Sequence, residues 1–368
     1  MSWDQIYGHD EIRQQFRNAV ESDRLASTFL FVGLEGIGKR TFALKLAQTL
    51  LCPRSSDFQP CETCPSCKQL LAGDHPDLEY VHRLPEKNQI ALEQLIGDKS
   101  NRQGLCQKIA MKPFYDGRKI AILDDADDLR QEGANALLKT LEEPPPGALI
   151  ILIGISVQRQ LPTIRSRSQV IRFSPLQWQQ VDKVLSDREL VSPPELATRL
   201  AKLSGGSVQN ALMLFGEEIL EFRSTWIDQL GSLHVTANDF VKTLQSFVDQ
   251  AGKDASSKRR RIIQIATWAS EFYRQVAFAY CGAELALQNN SQADQHLVQT
   301  AQNCARRWTG TADHLTLAID RCLEAEAQVM ANAHTATMLE SWLVDLNQIA
   351  NGQVPPMPSL ASGSPLSF

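Results

Sequence analysis

Residues 29–41, Phe-Leu-Phe-Val-Gly-Leu-Glu-Gly-Ile-Gly-Lys-Arg-Thr, constrain what this chain can fold into more than any other stretch. Phe29 to Val32 has the length and the aromatic and β-branched content of a buried strand, and it runs directly into Gly33, Gly36, Gly38 and Lys39. Glycines at those places let the backbone curl with its N–H groups turned inward, and Lys39 can bring positive charge to the outer phosphates of a nucleotide. A helix predicted over 41–51 points its N-terminus at the same anion. The stretch reads as a strand entering a phosphate loop; a plain glycine-rich turn at a strand end is the simpler alternative.

Two departures bear on chemistry. A working loop of this kind has Ser or Thr directly after the lysine, because the hydroxyl coordinates Mg²⁺; here that residue is Arg40. A guanidinium only donates hydrogen bonds, so it cannot bind a cation. Thr41 is displaced by one helical step, about 100° and 1.5 Å. Further on, the apolar run Ile120 to Leu123 ends in Asp124 and Asp125. Such a strand delivers its first acid to the Mg²⁺ shell, and the next acid, normally Glu, polarises the attacking water. Asp125 is one methylene shorter, and a misplacement near 1 Å can cost about a hundredfold in rate. An ordinary strand ending in a solvated turn would look similar.

Cys52, Cys61, Cys64 and Cys67 follow the loop helix with the spacing C-x8-C-x2-C-x2-C. Four thiols so close, with two C-x2-C steps, predict a tetrahedral structural Zn²⁺ site at 52–67; an iron–sulfur cluster is the rival. All four ligands are sulfur and no open position is offered, so the metal would not be catalytic. The other four cysteines, Cys106, Cys281, Cys304 and Cys322, read as packing thiols.

At 368 residues the chain is long for one core, so two or three domains are expected. No apolar run approaches membrane-span length and the first residues resemble no signal sequence, so a cytoplasmic protein without membrane contact is expected. The net charge of −5 gives no global attraction to nucleic acid. Lys258-Arg-Arg-Arg261 is the one dense basic run, and it reads as a solvated or interface patch rather than a DNA site.

Along the rest of the chain, Ile12, Phe16 and Val20 mark an N-terminal helix, Ile90 to Lys108 reads as one helix, and Asn135 to Leu141 as another stopped by Pro144. Leu149 to Ile155 is a fully apolar strand, which needs cover on both faces and supports a parallel sheet between helices. Residues 217–350 are helical in period almost throughout, and 351–368, rich in Pro, Ser and Gly, should be disordered.

Trp3 to Gly8, the phosphate loop, the cysteines after its helix, the acid-ending strand, Asn135 to Pro145 and Ser166-Arg167-Ser168 together resemble the bacterial DNA polymerase III clamp-loader subunits of the AAA+ superfamily. The resemblance implies an AAA+ domain at 1–174, a helical lid at 175–216 and a helical collar at 217–350 through which subunits oligomerise. It also implies that Arg167 is an arginine finger, offered to ATP bound by a neighbouring subunit. Gln209 stands where a motor subunit of that family carries Arg, and it has no charge to neutralise a γ-phosphate.

With Arg40, Asp125 and Gln209 altered but Arg167 kept, the resemblance points to a stator that completes a neighbour's site and is not catalytic alone. Nucleotide, ATP or ADP, would then bind weakly or not at all in its own loop. The implied partners are motor subunits, a clamp-opening subunit and, through the complex, the sliding clamp and primed DNA. The alternatives are an active motor subunit of the same loader, using Lys39, Asp124 and Asp125, and a stand-alone zinc DNA-binding protein.

Overall fold

The computed structural model of the chain describes residues 3–84, 87, 89–98, 103–115, 117–233, 237–252, 255–283, 294–330 and 334–355. Two compact units follow one another, Met1–Met213 and Leu214–Phe368.

The first unit is built on five parallel strands: β1 (Thr28–Val32), β2 (Leu78–Val81), β3 (Ile120–Leu123), β4 (Leu149–Gly154) and β5 (Gln169–Arg172). Their order across the sheet is β2-β3-β4-β1-β5. Because successive side chains of a strand point to opposite faces, the apolar strands feed two cores at once. Phe29, Phe31, Ile120, Ile122, Ile151 and Ile153 lie on one face, under α1 (Asp10–Glu21) and α2 (Lys39–Leu51). Leu30, Val32, Ala121, Leu123, Ile150 and Leu152 lie on the other. That face is covered by α4 (Leu92–Ile96), α5 (Leu105–Ile109), α6 (Gln131–Glu142) and α7 (Pro162–Arg165), while α3 (Pro65–Ala72) follows α2 in the chain. This is the parallel sheet between helices that the sequence predicts.

The single helix expected over Ile90 to Lys108 is instead the pair α4 and α5. Gly97 ends α4 with φ +88°, and a Cβ on Gly104 would lie 2.3 Å from the Gly97 nitrogen and 2.4 Å from the Leu95 carbonyl oxygen. Gly104 thus packs against the end of α4, and Leu95, Leu105 and Ile109 still all reach the core, so the apolar spacing matched a helix without being one.

Phe42 is the hub of the α1/α2 core. It is fully buried, with the rings of Trp3, Phe16, Phe31 and Phe173 at centroid distances of 5.0, 5.9, 6.0 and 5.3 Å. Phe42→Ala should destabilise this unit by about 3–5 kcal/mol, read as a lower denaturant midpoint; a shift under about 1 kcal/mol would mean the site collapses freely.

Three helices complete the first unit: α8 (Trp178–Asp187), α9 (Pro194–Leu203) and α10 (Val208–Met213). The second unit is all-helical among its described residues. It comprises α11 (Glu217–Gly231), α12 (Ala237–Asp249), α13 (Ala255–Tyr280), α14 (Gln295–Arg307), α15 (Ala312–Met330) and α16 (Thr335–Ala350). On α13 the apolar stripe Ile262, Ile265, Ala266, Ala269 and Phe272 is fully buried, as are Leu339, Leu343 and Leu346 on α16. The first unit ends with Met213, the last residue of α10. Of the tail expected to be disordered, residues 356–368 lie outside the described residues.

Candidate nucleotide loop and cysteine centre

β1 delivers the chain into residues 33–38, where Gly33, Gly36 and Gly38 take φ of +152°, +70° and +99°, values that side chains with a Cβ rarely adopt. Lys39, buried at the start of α2, folds back so that Nζ donates to the Gly33 and Leu34 carbonyls, at 2.6 Å each. Burial pushes its pKa down, against the pull of Glu35 and the acids after β3. Thr41 sits partly buried in the first turn of α2.

Arg40 leaves the loop sideways. Its guanidinium lies over the Tyr80 ring, 4.8 Å from the centroid, and its Nε is 3.8 Å from Asp124 Oδ2. The Tyr80 hydroxyl donates to the same carboxylate oxygen at 2.9 Å. Asp124 is thus held by a cation and a phenol supplied by the chain itself. Burial, then the Asp124 charge, push the Tyr80 pKa far up, so the phenol stays a donor. Asp125 follows in a left-handed conformation, φ +56°, with its pKa raised by burial and by Asp124. From the first turn of α10, the Gln209 Nε2 donates to Glu35 Oε2 at 3.2 Å. The structure therefore gathers Gly33, Gly36, Gly38, Lys39, Arg40, Asp124 and Gln209 around one loop.

Arg167 stands apart from that group, on the segment between α7 and β5. Its NH2 donates to Glu142 Oε1 at 2.5 Å, and its NH1 to the Thr163 carbonyl and Ser166 Oγ at 3.1 and 3.2 Å. Ser168 Oγ caps the turn by donating to the Ile164 carbonyl at 2.8 Å.

The four cysteines converge. Their sulfurs all lie within 4.8 Å of one another, with Cys52 Sγ 3.6 Å from Cys61 Sγ and 3.9 Å from Cys64 Sγ. A tetrahedron of sulfurs about 2.3 Å from a central ion has edges near 3.8 Å, so the spacing fits an ion and is far too long for a disulfide. Backbone N–H groups of Cys61, Cys64 and Cys67 point at the sulfurs of Cys52, Cys61 and Cys64 at 3.3–3.4 Å. Hydrogen bonds, first from the Thr63 backbone, pull the Cys61 thiol down to about 6, whereas burial pushes Cys52 and Cys67 up. Were all four sulfurs ionised, as metal ligands must be, their charge in this partly buried place would need a compensating cation.

Behind the cluster, Ser66 donates to the Leu51 carbonyl at 2.8 Å and pairs with His75 Nε2 at 2.9 Å, fixing α3 on the end of α2. Of the remaining cysteines, Cys304 and Cys322 are buried and Cys106 partly so, but Cys281 is exposed and is not the packing thiol expected. In the basic run, Lys258 pairs with Asp249 at 2.5 Å and Arg261 stacks on Phe247 at 4.3 Å, so half of its charge faces its own unit.

Sequence reasoning missed Tyr80 and Asp127. Tyr80 gave no signal, because a tyrosine in a short strand is ordinary. Asp127 accepts from the Ile155 N–H at 2.5 Å and from Gln160 Nε2 at 2.8 Å, tying the segment after β3 to the end of β4.

Compared with known proteins, the chain is 32% identical over 236 residues to DNA polymerase III subunit delta' of Escherichia coli, covering 63% of this chain and 68% of that one. The chain belongs to the delta' family. It is also 33% identical to the delta' subunit of Bacillus subtilis over 217 residues, 59% of this chain and 62% of that protein. The match thus spans about three fifths of the Bacillus delta' length. A family model described as DNA polymerase III, delta subunit, matches residues 8–177. The tau subunit of Escherichia coli is 26% identical over 218 residues, covering 58% of this chain but 32% of tau.

Among the described residues of this delta' family member, no helix is long and apolar enough to cross a membrane.

Proposed function

We propose that this chain is the stator of a DNA polymerase III clamp loader. It would assemble in the cytoplasm with motor and clamp-opening subunits through its helical second unit, as an AAA+ protein whose own ATPase site is degenerate. Arg167 then serves the ATP of a neighbouring subunit, and the assembled machine loads the sliding clamp onto primed DNA. The observation that carries this reading is Arg40. Its guanidinium lies beside Asp124, against the carboxylate that in a working site would face Mg²⁺. Asp125, short by a methylene, and the uncharged Gln209 support it.

We assign a structural Zn²⁺ to Cys52, Cys61, Cys64 and Cys67. Bound there, the ion would neutralise the thiolates and tie residues 52–67 to α2; it supplies no catalytic chemistry. The net charge of −5 and the partly internal basic run speak against a stand-alone DNA-binding role.

Steady-state ATPase measurements on the isolated chain separate the stator from a motor. The expected rate is background, with nucleotide held weakly or not at all, and the chain should co-elute with gamma/tau and delta subunits. Mg²⁺-dependent turnover by the chain alone, abolished by Lys39→Ala, would establish the motor instead.

A further inference from the structure

Each carbonyl oxygen from residue 33 to residue 37 has a partner within the first unit. Lys39 serves Gly33 and Leu34, Ser207 Oγ donates to Glu35 O at 2.8 Å, the Val208 N–H donates to Gly36 O at 3.0 Å, and His9 Nε2 lies 2.7 Å from Ile37 O. Two of these donors belong to the lid. Ser207 is fully buried, and its oxygen also accepts the Asn210 N–H at 3.1 Å, so the hydroxyl is committed on both sides. The Gln209 amide adds its bond to the Glu35 carboxylate.

Packing is equally close. A Cβ on Gly36 would sit 2.3 Å from Gln209 Cβ, 2.6 Å from Ser207 Oγ and 2.7 Å from the Gln209 nitrogen. On the far side of the same turn, a Cβ on Gly206 would lie 2.4 Å from the Leu176 carbonyl oxygen, and the Leu176 N–H donates to Gly206 O at 3.0 Å. The turn 204–209 is therefore gripped between the loop and the segment leading into α8.

We propose that the phosphate loop of this chain is the seat of its lid: Glu35 and Gly36 hold the Ser207–Gln209 turn by direct hydrogen bonds and glycine-enabled backbone contact. A lid seated this way needs no nucleotide to stay down. The loop's glycines then have a use that does not depend on phosphate, which explains how its curl persists beside an Arg40 that defeats Mg²⁺ binding. A fixed lid is what a stator requires; the inference rests on that reading for this consequence alone.

Hydrogen exchange of the full chain, followed by mass spectrometry over 204–213, tests it. Wild type should show the same protection there with and without Mg²⁺-ATP. Ser207→Ala, which removes one net hydrogen bond, should speed exchange there about fivefold. Gly36→Ala forces a Cβ into both a left-handed conformation and the lid, and should speed it at least about tenfold. Exchange in β4 should stay unchanged in both variants.

If Gly36→Ala does not fold, Ser207→Ala decides alone. Unchanged exchange over 204–213 in the folded variants, or protection that rises in wild type when Mg²⁺-ATP is added, overturns the proposal. Because the isolated chain is measured, a failure of clamp-loader assembly would sink the stator reading and leave the seat standing, and the reverse also holds.

Discussion

In a complex rebuilt with motor subunits, Arg167→Ala should slow hydrolysis at the one ATP site facing this chain by about 10³–10⁵ while the complex still assembles. The magnitude is that of a guanidinium meeting transition-state charge in a water-poor interface, where the fork of donors matches phosphate oxygens. Nothing in the geometry of the free chain commits Arg167 elsewhere for good. Its pair with Glu142 is partly exposed, 33% for the arginine side chain and 49% for the glutamate, and exposed pairs are worth about 0–1 kcal/mol. A bound γ-phosphate can therefore take the guanidinium over.

The same weakness predicts that Arg167→Ala leaves the stability of the isolated chain nearly unchanged, so lost activity could not be put down to misfolding. Arg167→Lys should recover only part of the rate, because an ammonium lacks the planar fork. Arg165→Ala, two residues away at the end of α7, provides the control and should behave as wild type. Single-turnover hydrolysis at that site, measured with the other motor sites disabled, reads the effect. A normal rate in an assembled Arg167→Ala complex would end the trans role.

Much of the first unit was legible because its signals are local and redundant. Val32 to Lys39 specifies a strand, a loop and a helix start at once, and the apolar runs at 120–123 and 149–154 are too short and too uniform for anything but doubly covered strands. Cysteine spacing carried the cluster, since two C-x2-C steps bring thiols together almost irrespective of the surroundings. What stayed hidden depends on tertiary approach. Tyr80 meets Arg40 and Asp124 only because β2 lies beside β3 in the sheet. The grip of Ser207 on Glu35 joins residues 172 positions apart, which no periodicity reports. The false helix over 90–108 has the same origin: spacing recorded which residues face the core, and Gly97 with Gly104 decided how the chain reached it.

The second large effect concerns the cysteine centre. Protein purified without chelator is expected to carry one zinc per chain, and Cys64→Ser to lose it. Structural zinc in small modules has an apparent binding free energy of about 10–16 kcal/mol at neutral pH, and where no preformed site exists that energy is folding energy. Here the site is half preformed: Ser66 and His75 already fix α3, and the Lys45 ammonium reaches Glu62 Oε1 at 2.6 Å between the ligands. Metal loss should therefore release residues 52–64 while β1, β3 and β4 keep their protection.

Cys64 is the severe position, because it is buried and its sulfur caps α3 by accepting the Cys67 N–H. Cys61, on the rim, should tolerate Ser better. Cobalt substitution supplies the spectroscopic check, because four thiolates around Co²⁺ give intense thiolate-to-metal bands together with tetrahedral d–d bands. Iron with sulfide in the purified protein would replace zinc by a cluster, and stoichiometric metal retained by Cys64→Ser would show that these four sulfurs do not form the site.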